Sequence, residues 1–222
     1  MASLDSIIYL STAFPRTDLV AIGRSGAISR APDGTLYAAA GMTGNLDLGI
    51  YPHRIYVSRD DGATWTLSHT FYQTGWDAKG SLHIAVDSQG DVHVAWSVRE
   101  AWTPDVSPYS NWLCYKKGKD GAWGAIEYIF EETHSDRQSD SSTVTLDIDS
   151  NDNPHVGFTL NQDGYPPTVA STFRHIWLDG TWQSESLTTK TDYNSTNKLI
   201  DRARNKLHAV YEDRTDKKFY YS

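Results

Sequence analysis

Three histidines recur at one place in a repeated stretch: His93 in Gly90 to Trp96, His155 in Asp152 to Phe158, and His208 in Asn205 to Tyr211. Tyr37 takes that place in a fourth copy, Gly34 to Ala40. Imidazoles converging at about 2.0–2.1 Å from a zinc ion would make a metal centre. One histidine per repeat instead distributes them round a ring, where the same residue type serves as a hydrogen-bonded core group, so no metal ligand and no cofactor is assigned. A second chemistry is glycoside cleavage, which needs two carboxyl groups acting as acid and as base or nucleophile. Glu131, Glu132 and Asp136 crowd one connection, but a charge run between strands is ordinarily solvated, and no catalytic residue is assigned. The single cysteine, Cys114, sits in an aromatic strand-like run and reads as a small core residue.

Recognition chemistry is better represented. Sugar rings present apolar C–H faces that stack on aromatic side chains, while their hydroxyls bond to Asp, Asn, Gln or Arg. Trp76, Asp77, Arg99, Trp102, Tyr109 and Tyr165 supply that mixture in stretches that carry no core pattern, and they are the expected ligand-binding residues. Tyr72, Glu100, Asp105, Asn161, Gln162 and Asp163 are near them in sequence.

The elements that must position these residues follow from punctuation. Ser58-Arg59-Asp60-Asp61-Gly62-Ala63-Thr64-Trp65 has two shortened echoes, Asp120-Gly121-Ala122-Trp123 and Asp179-Gly180-Thr181-Trp182. Each follows an apolar, aromatic run and ends in a Trp that opens another, which predicts a β-hairpin with Gly at a positive φ. Ser58, Asp60, Gly62, Thr64 and Trp65 fit Ser-x-Asp-x-Gly-x-Thr-Trp in full, and so resemble the Asp box of the bacterial neuraminidase repeat found in sialidases and other β-propellers. The resemblance implies a propeller fold and a structural role for these residues and for Asp120, Gly121, Trp123, Asp179, Gly180 and Trp182. A sialidase would also need an arginine triad, a Tyr and Glu pair and a catalytic Asp. None of these carries over, and Arg54-Ile55 lacks the proline of the family's N-terminal motif.

The four repeated stretches are offset by 56, 62 and 53 residues, a period that suits four-stranded blades. They predict one all-β domain over residues 1–222, a four-bladed β-propeller of antiparallel blades at about 25–72, 80–131, 141–189 and 196–222, with strand 6–10 completing the last blade and closing the ring. Ala125 to Ile129 reads as the outer strand of the second blade. Short turns then fall on one face. The other face receives the long connections 41–52, 71–80, 98–111, 131–141, 161–171 and 188–195, the usual place for recognition.

Composition narrows the partners. With 20 Lys and Arg against 28 Asp and Glu, the net charge of −8 argues against non-specific nucleic-acid binding, which needs a basic face. A 39% hydrophobic content and a mean hydropathy of −0.53 describe a soluble chain. No run approaches the roughly 18 apolar residues of a membrane span. The first residues lack the basic start and apolar core of a signal peptide, so the location is unassigned, with a virion component or non-classical export as options. The expected function is a non-catalytic recognition module, a lectin for surface glycans or a receptor binder. Two readings stand beside it: a sialidase-like glycoside hydrolase or lyase, and an architectural subunit that binds protein neighbours.

Overall fold

The computed structural model describes residues 22–42, 50–74, 76–77, 82–100, 109–134, 139–162, 171–190, 193–201, 206–213 and 218–221, with side-chain surroundings for 27–40, 52–72, 82–98, 110–131, 144–158 and 174–187. No helix occurs among the described residues. The described residues form seventeen strands in four consecutive antiparallel sheets. The first contains β1 (Ile22–Arg30), β2 (Leu36–Met42), β3 (Ile50–Ser58) and β4 (Thr66–Thr74), paired in that order. The second contains β5 (Trp76–Asp77), β6 (Leu82–Val86), β7 (Val92–Glu100), β8 (Tyr109–Lys119), β9 (Ala122–Trp123) and β10 (Glu127–His134), with β5 and β6 both pairing β7. The third runs β11 (Ser139–Ile148), β12 (Pro154–Gln162), β13 (Ser171–Asp179) and β14 (Thr181–Lys190). The fourth is β15 (Tyr193–Asp201), β16 (Lys206–Asp213) and β17 (Lys218–Tyr221). Strand 6–10, the expected closing element, lies outside the described residues.

The leading strands of the sheets pack in chain order, β6 against β1 and β11, and β11 against β15. The second sheet therefore buries one face against the first and the other against the third. Ile55, Val57 and Phe71 of the first sheet meet Val94, Trp96, Val98 and Cys114 of the second. The second sheet's other face sets Ala95, Leu113, Tyr115 and Ile129 against Val144, Val156, Phe158 and Ile176. Because β7 is covered on both sides, every residue from Val92 to Val98 is buried, including the polar His93 and Ser97 that alternate with its large apolar residues.

Turns at one end of the sheets are short. Gly34 (φ 93°), Gly90 (φ 81°) and Asp152 (φ 64°) take the left-handed position between the first two long strands of their sheets. Asp87 and Asp149 anchor the second and third of these turns: Oδ1 of Asp87 accepts from the amides of Gln89 and Asp91, and Oδ1 of Asp149 from those of Asn151 and Asn153. In the first sheet Ala31 occupies that place, and Asp33 accepts from the Thr35 amide instead.

Two expectations are corrected. The outer strand of the second sheet begins at Glu127, not Ala125, because the chain first crosses from the β8–β9 hairpin through 124–126. The strands also continue into the long connections, so Tyr72, Trp76, Asp77, Arg99, Tyr109, Asn161 and Gln162 belong to strands. Backbone pairing carries these ladders past the point where apolar patterning stops.

Candidate functional site

At the short-turn end, Ser58–Trp65 forms a compact hydrogen-bonded hairpin. Oδ1 of Asp60 accepts from the Ser58 hydroxyl (2.7 Å) and the Thr64 amide (2.8 Å), Oδ2 accepts from the Thr64 hydroxyl, and Ser58 Oγ accepts from the Gly62 amide (2.8 Å). The hydroxyl of Thr64, then its amide and Ser58, lower the Asp60 carboxyl to about 2. Trp65 donates its indole N–H to the Gly62 carbonyl at 3.1 Å. Positive φ falls on Asp61 (57°) and Gly62 (92°), so the turn residue is Asp61 and Asp60 is the acceptor.

The echoes keep only the turn. Asp120 (φ 45°) and Gly121 (φ 89°) form a two-residue loop closing Lys119 against Ala122, and Gly180 (φ 67°) closes Asp179 against Thr181. Their tryptophans reach back to the preceding sheet. The Trp123 ring stacks on His69 with centroids 4.7 Å apart, while Trp182 meets Tyr115 edge-on at 4.9 Å and donates to Glu127 Oε2 at 3.0 Å.

The repeated histidines are held by hydrogen bonds. His93 is buried between Tyr115, whose hydroxyl lies 2.6 Å from Nδ1, and Asp87, whose Oδ2 lies 3.0 Å from Nε2. Burial keeps the imidazole neutral and raises the Tyr115 phenol. The order carboxylate, imidazole, hydroxyl has the form of a nucleophile triad, but Tyr115 and His93 are 2% and 1% exposed, out of reach of a substrate. In the third sheet Asp149, His155, His175 and Glu185 form a similar chain, with His155 Nδ1 2.9 Å from His175 Nε2 and His175 Nδ1 2.8 Å from Glu185 Oε1. The side chain of His208 lies outside the described residues. Cys114 is buried, which raises its thiol well above the usual range.

The opposite end carries four of the six expected ligand-binding residues, Trp76, Asp77, Arg99 and Tyr109. Register places Trp76 opposite Glu100 and Asp77 opposite Arg99, while Arg99 also faces Asn111, and Asn111 faces Glu132. Asp77, Arg99, Asn111 and Glu132 thus make one cross-strand row over β5, β7, β8 and β10, with Tyr109 two residues beyond it on β8, opposite His134. Trp102 and Tyr165 lie outside the described residues. Tyr72 on β4 is 58% exposed beside buried Phe71. Ser110 donates to Glu131 Oε1 at 2.6 Å, and Trp112 meets Tyr128 edge-on at 5.4 Å. Among the described residues no group of three or more His, Cys, Asp or Glu could hold a metal ion. No described helix is long and apolar enough to cross a membrane.

No protein-family model and no curated protein matches the chain. Solved structures do. An α-L-arabinanase from Penicillium chrysogenum complexed with arabinobiose superposes with a TM-score of 0.59 at 17% identity, covering 89% of this chain and 61% of that one. The α-L-arabinofuranosidase Arb93A from Fusarium graminearum, in complex with an iminosugar inhibitor, gives a TM-score of 0.57 at 14% identity, covering 89% and 60%. The chain spans about 60% of the length of these proteins. What is shared at such identity is the fold, a β-propeller-like succession of antiparallel sheets.

Proposed function

We propose that the chain is a non-catalytic recognition module that binds a surface glycan through the long-connection end of its sheets. The observation that carries this reading is the pinning of Trp76 and Asp77 against Glu100 and Arg99 where β5 pairs the end of β7. An aromatic residue and several hydrogen-bonding types are brought to one place by backbone pairing, as a sugar site requires. The arabinobiose in the arabinanase structure and the inhibitor in Arb93A make carbohydrate the first ligand class to test. On the same reading, residues 1–222 form a closed four-bladed propeller sealed by strand 6–10, and the Ser58–Trp65 hairpin is an Asp box with a structural role.

The test is a glycan array that includes arabinobiose, followed by Trp102→Ala on the best hit. An aromatic anchor in a loop carries about 1–3 kcal/mol of binding with little effect on stability. Affinity should therefore fall roughly 5- to 150-fold with an unchanged melting temperature. A lowered melting temperature with unchanged affinity would make Trp102 a staple and remove it from the site. A clean negative across the array favours an architectural part that binds protein neighbours. The enzymes among the structural neighbours support a second reading, a glycoside hydrolase, and turnover of a fluorogenic arabinofuranoside would establish it.

A further inference from the structure

The Asp149, His155, His175 and Glu185 chain of the third sheet is one proton short when both of its rings are neutral. Asp149 Oδ2 lies 3.5 Å from His155 Nε2, His155 Nδ1 2.9 Å from His175 Nε2, and His175 Nδ1 2.8 Å from Glu185 Oε1. Each of these three contacts needs a proton between its two atoms. A neutral imidazole brings one N–H, so two rings bring two. Whichever tautomers they take, one contact sets lone pair against lone pair. A third proton, which makes one ring an imidazolium, closes all three.

The second sheet supplies an internal control. Register matches His93 with His155, Tyr115 with His175, Glu127 with Glu185 and Lys117 with Trp177. There the chain has two contacts and two protons: His93 donates to Asp87, the Tyr115 hydroxyl donates to His93, and Glu127 takes its hydrogen bond from Trp182. The cation beside Asp87 is permanent, with Lys117 Nζ at 3.1 Å. In the third sheet Trp177 stands in the place of that lysine, and its ring stacks on His175 at 4.7 Å, a surface that attracts a cation. Arg174, the neighbour of His175 on β13, turns its guanidinium to Phe130 and Ser186. A permanent cation has thus been exchanged for a pair of rings able to acquire one.

From this we infer a proton-operated latch in the third sheet: His155 and His175 share one extra proton, and that proton clamps Glu185 of the outer strand β14 to β13. The Asp149 side chain is 5% exposed and that of Glu185 51%. When the proton leaves, buried Asp149 keeps the His155 Nε2–H and His175 donates its Nε2–H to His155. The bare Nδ1 of His175 then repels Glu185, the partner able to turn into water. Besides Asp149 and Glu185, Asp147 of β11 stands opposite His155, and β15, which packs on β11 and β12, carries Lys198 and Asp201. The carboxylates hold the extra proton above the pH of about 6.5 at which a free imidazole releases it. The latch is therefore closed below about pH 6.5 and opens as the pH rises through the pair's own, higher value, so its stabilisation is lost on the alkaline side. It lies on the side of the short turns and does not rest on the glycan reading.

The experiment follows the imidazole resonances of the full chain, the Glu185 carboxyl resonance and the melting temperature from about pH 5 to about pH 9, in wild type, Glu185→Gln and His175→Tyr. In wild type the pair should release one proton with a midpoint about one unit or more above 6.5, and the Glu185 carboxyl should respond at the same midpoint. Glu185→Gln offers an amide N–H to His175 Nδ1 and closes the chain with both rings neutral, so the midpoint should fall by about one unit or more. His175→Tyr rebuilds the chain of the second sheet and should abolish the alkaline loss of melting temperature. A wild-type midpoint at or below about 6.5, a midpoint that Glu185→Gln leaves in place, or a Glu185 carboxyl that does not respond overturns the latch. Residue 185 is half exposed and the replacement is isosteric, so Glu185→Gln decides the matter even where His175→Tyr does not fold.

Discussion

Gly118→Ala examines the contact that ties the second sheet to the first. Gly118 on β8 is paired with Trp123 on β9, and the indole lies directly across it. A Cβ at Gly118 would stand 2.3 Å from Trp123 Cδ2 and 2.6 Å from Cγ and Cε3. Cγ is the root of the ring, so no small rotation of a flexible tip relieves the clash, and the indole must leave its place on His69. Overpacking of this kind costs about 1–3 kcal/mol and a lost aromatic stack about 0.5–1.5 kcal/mol. The sum, offset slightly by the better strand propensity of alanine, is about 2–4 kcal/mol. For a chain of this size that corresponds to a fall of roughly 4–15 °C in melting temperature. The assay is thermal unfolding by circular dichroism of wild type, Gly118→Ala, Trp123→Ala and the double variant. With the ring removed, Gly118→Ala should be neutral or slightly stabilising, so the cycle should show a coupling of about 2–4 kcal/mol. An equal cost for Gly118→Ala in both backgrounds would refute the packing argument.

Two further outcomes follow from the turns and from the proposed closure. Burial alone would raise the Asp87 carboxyl, but His93, the Asp91 amide and Lys117 outweigh it and lower it from 3.8 to about 2. Its stabilisation is therefore complete above pH about 4 and is lost as pH falls towards 2. Asp87→Asn should melt lower than wild type at neutral pH, by the equivalent of about 2–3 kcal/mol, and a pH series should show the gap closing through that window. Deleting residues 1–12 should expose an unpaired edge and lower the melting temperature; an unchanged value sinks the closure proposal.

What the sequence discloses is what depends on nearest neighbours. Gly62, Gly121 and Gly180 announce their hairpins because a positive φ selects glycine, and the Ser58, Asp60 and Thr64 network is local enough to read from spacing. The histidines at 93 and 155 could be read as hydrogen-bonded core groups from their places in the repeat. Their partners could not, since Tyr115 and His175 come from the next strand and only register identifies them. Trp123 reads from sequence only as the opening of the strand after its turn, and nothing local tells that its ring meets His69. The site was legible as residue types and only partly as geometry. Trp76, Asp77, Arg99 and Tyr109 stand in stretches without alternation, yet backbone pairing incorporates them in strands.

Three ties between sheets each join a later hairpin or turn to an earlier sheet: Trp123 covers His69, Trp182 covers Tyr115, and Asp152 accepts from the amide and hydroxyl of Ser88. During synthesis the first and second sheets therefore emerge with an aromatic surface bare until the hairpin of the following one has been made. At ordinary ribosomal speed, His69 waits roughly 3–10 s for Trp123. A nascent first sheet is long-lived enough in that interval for a chaperone to engage it, and a ribosome stalled just before codon 123 would leave a fragment with a ready-made adhesive face.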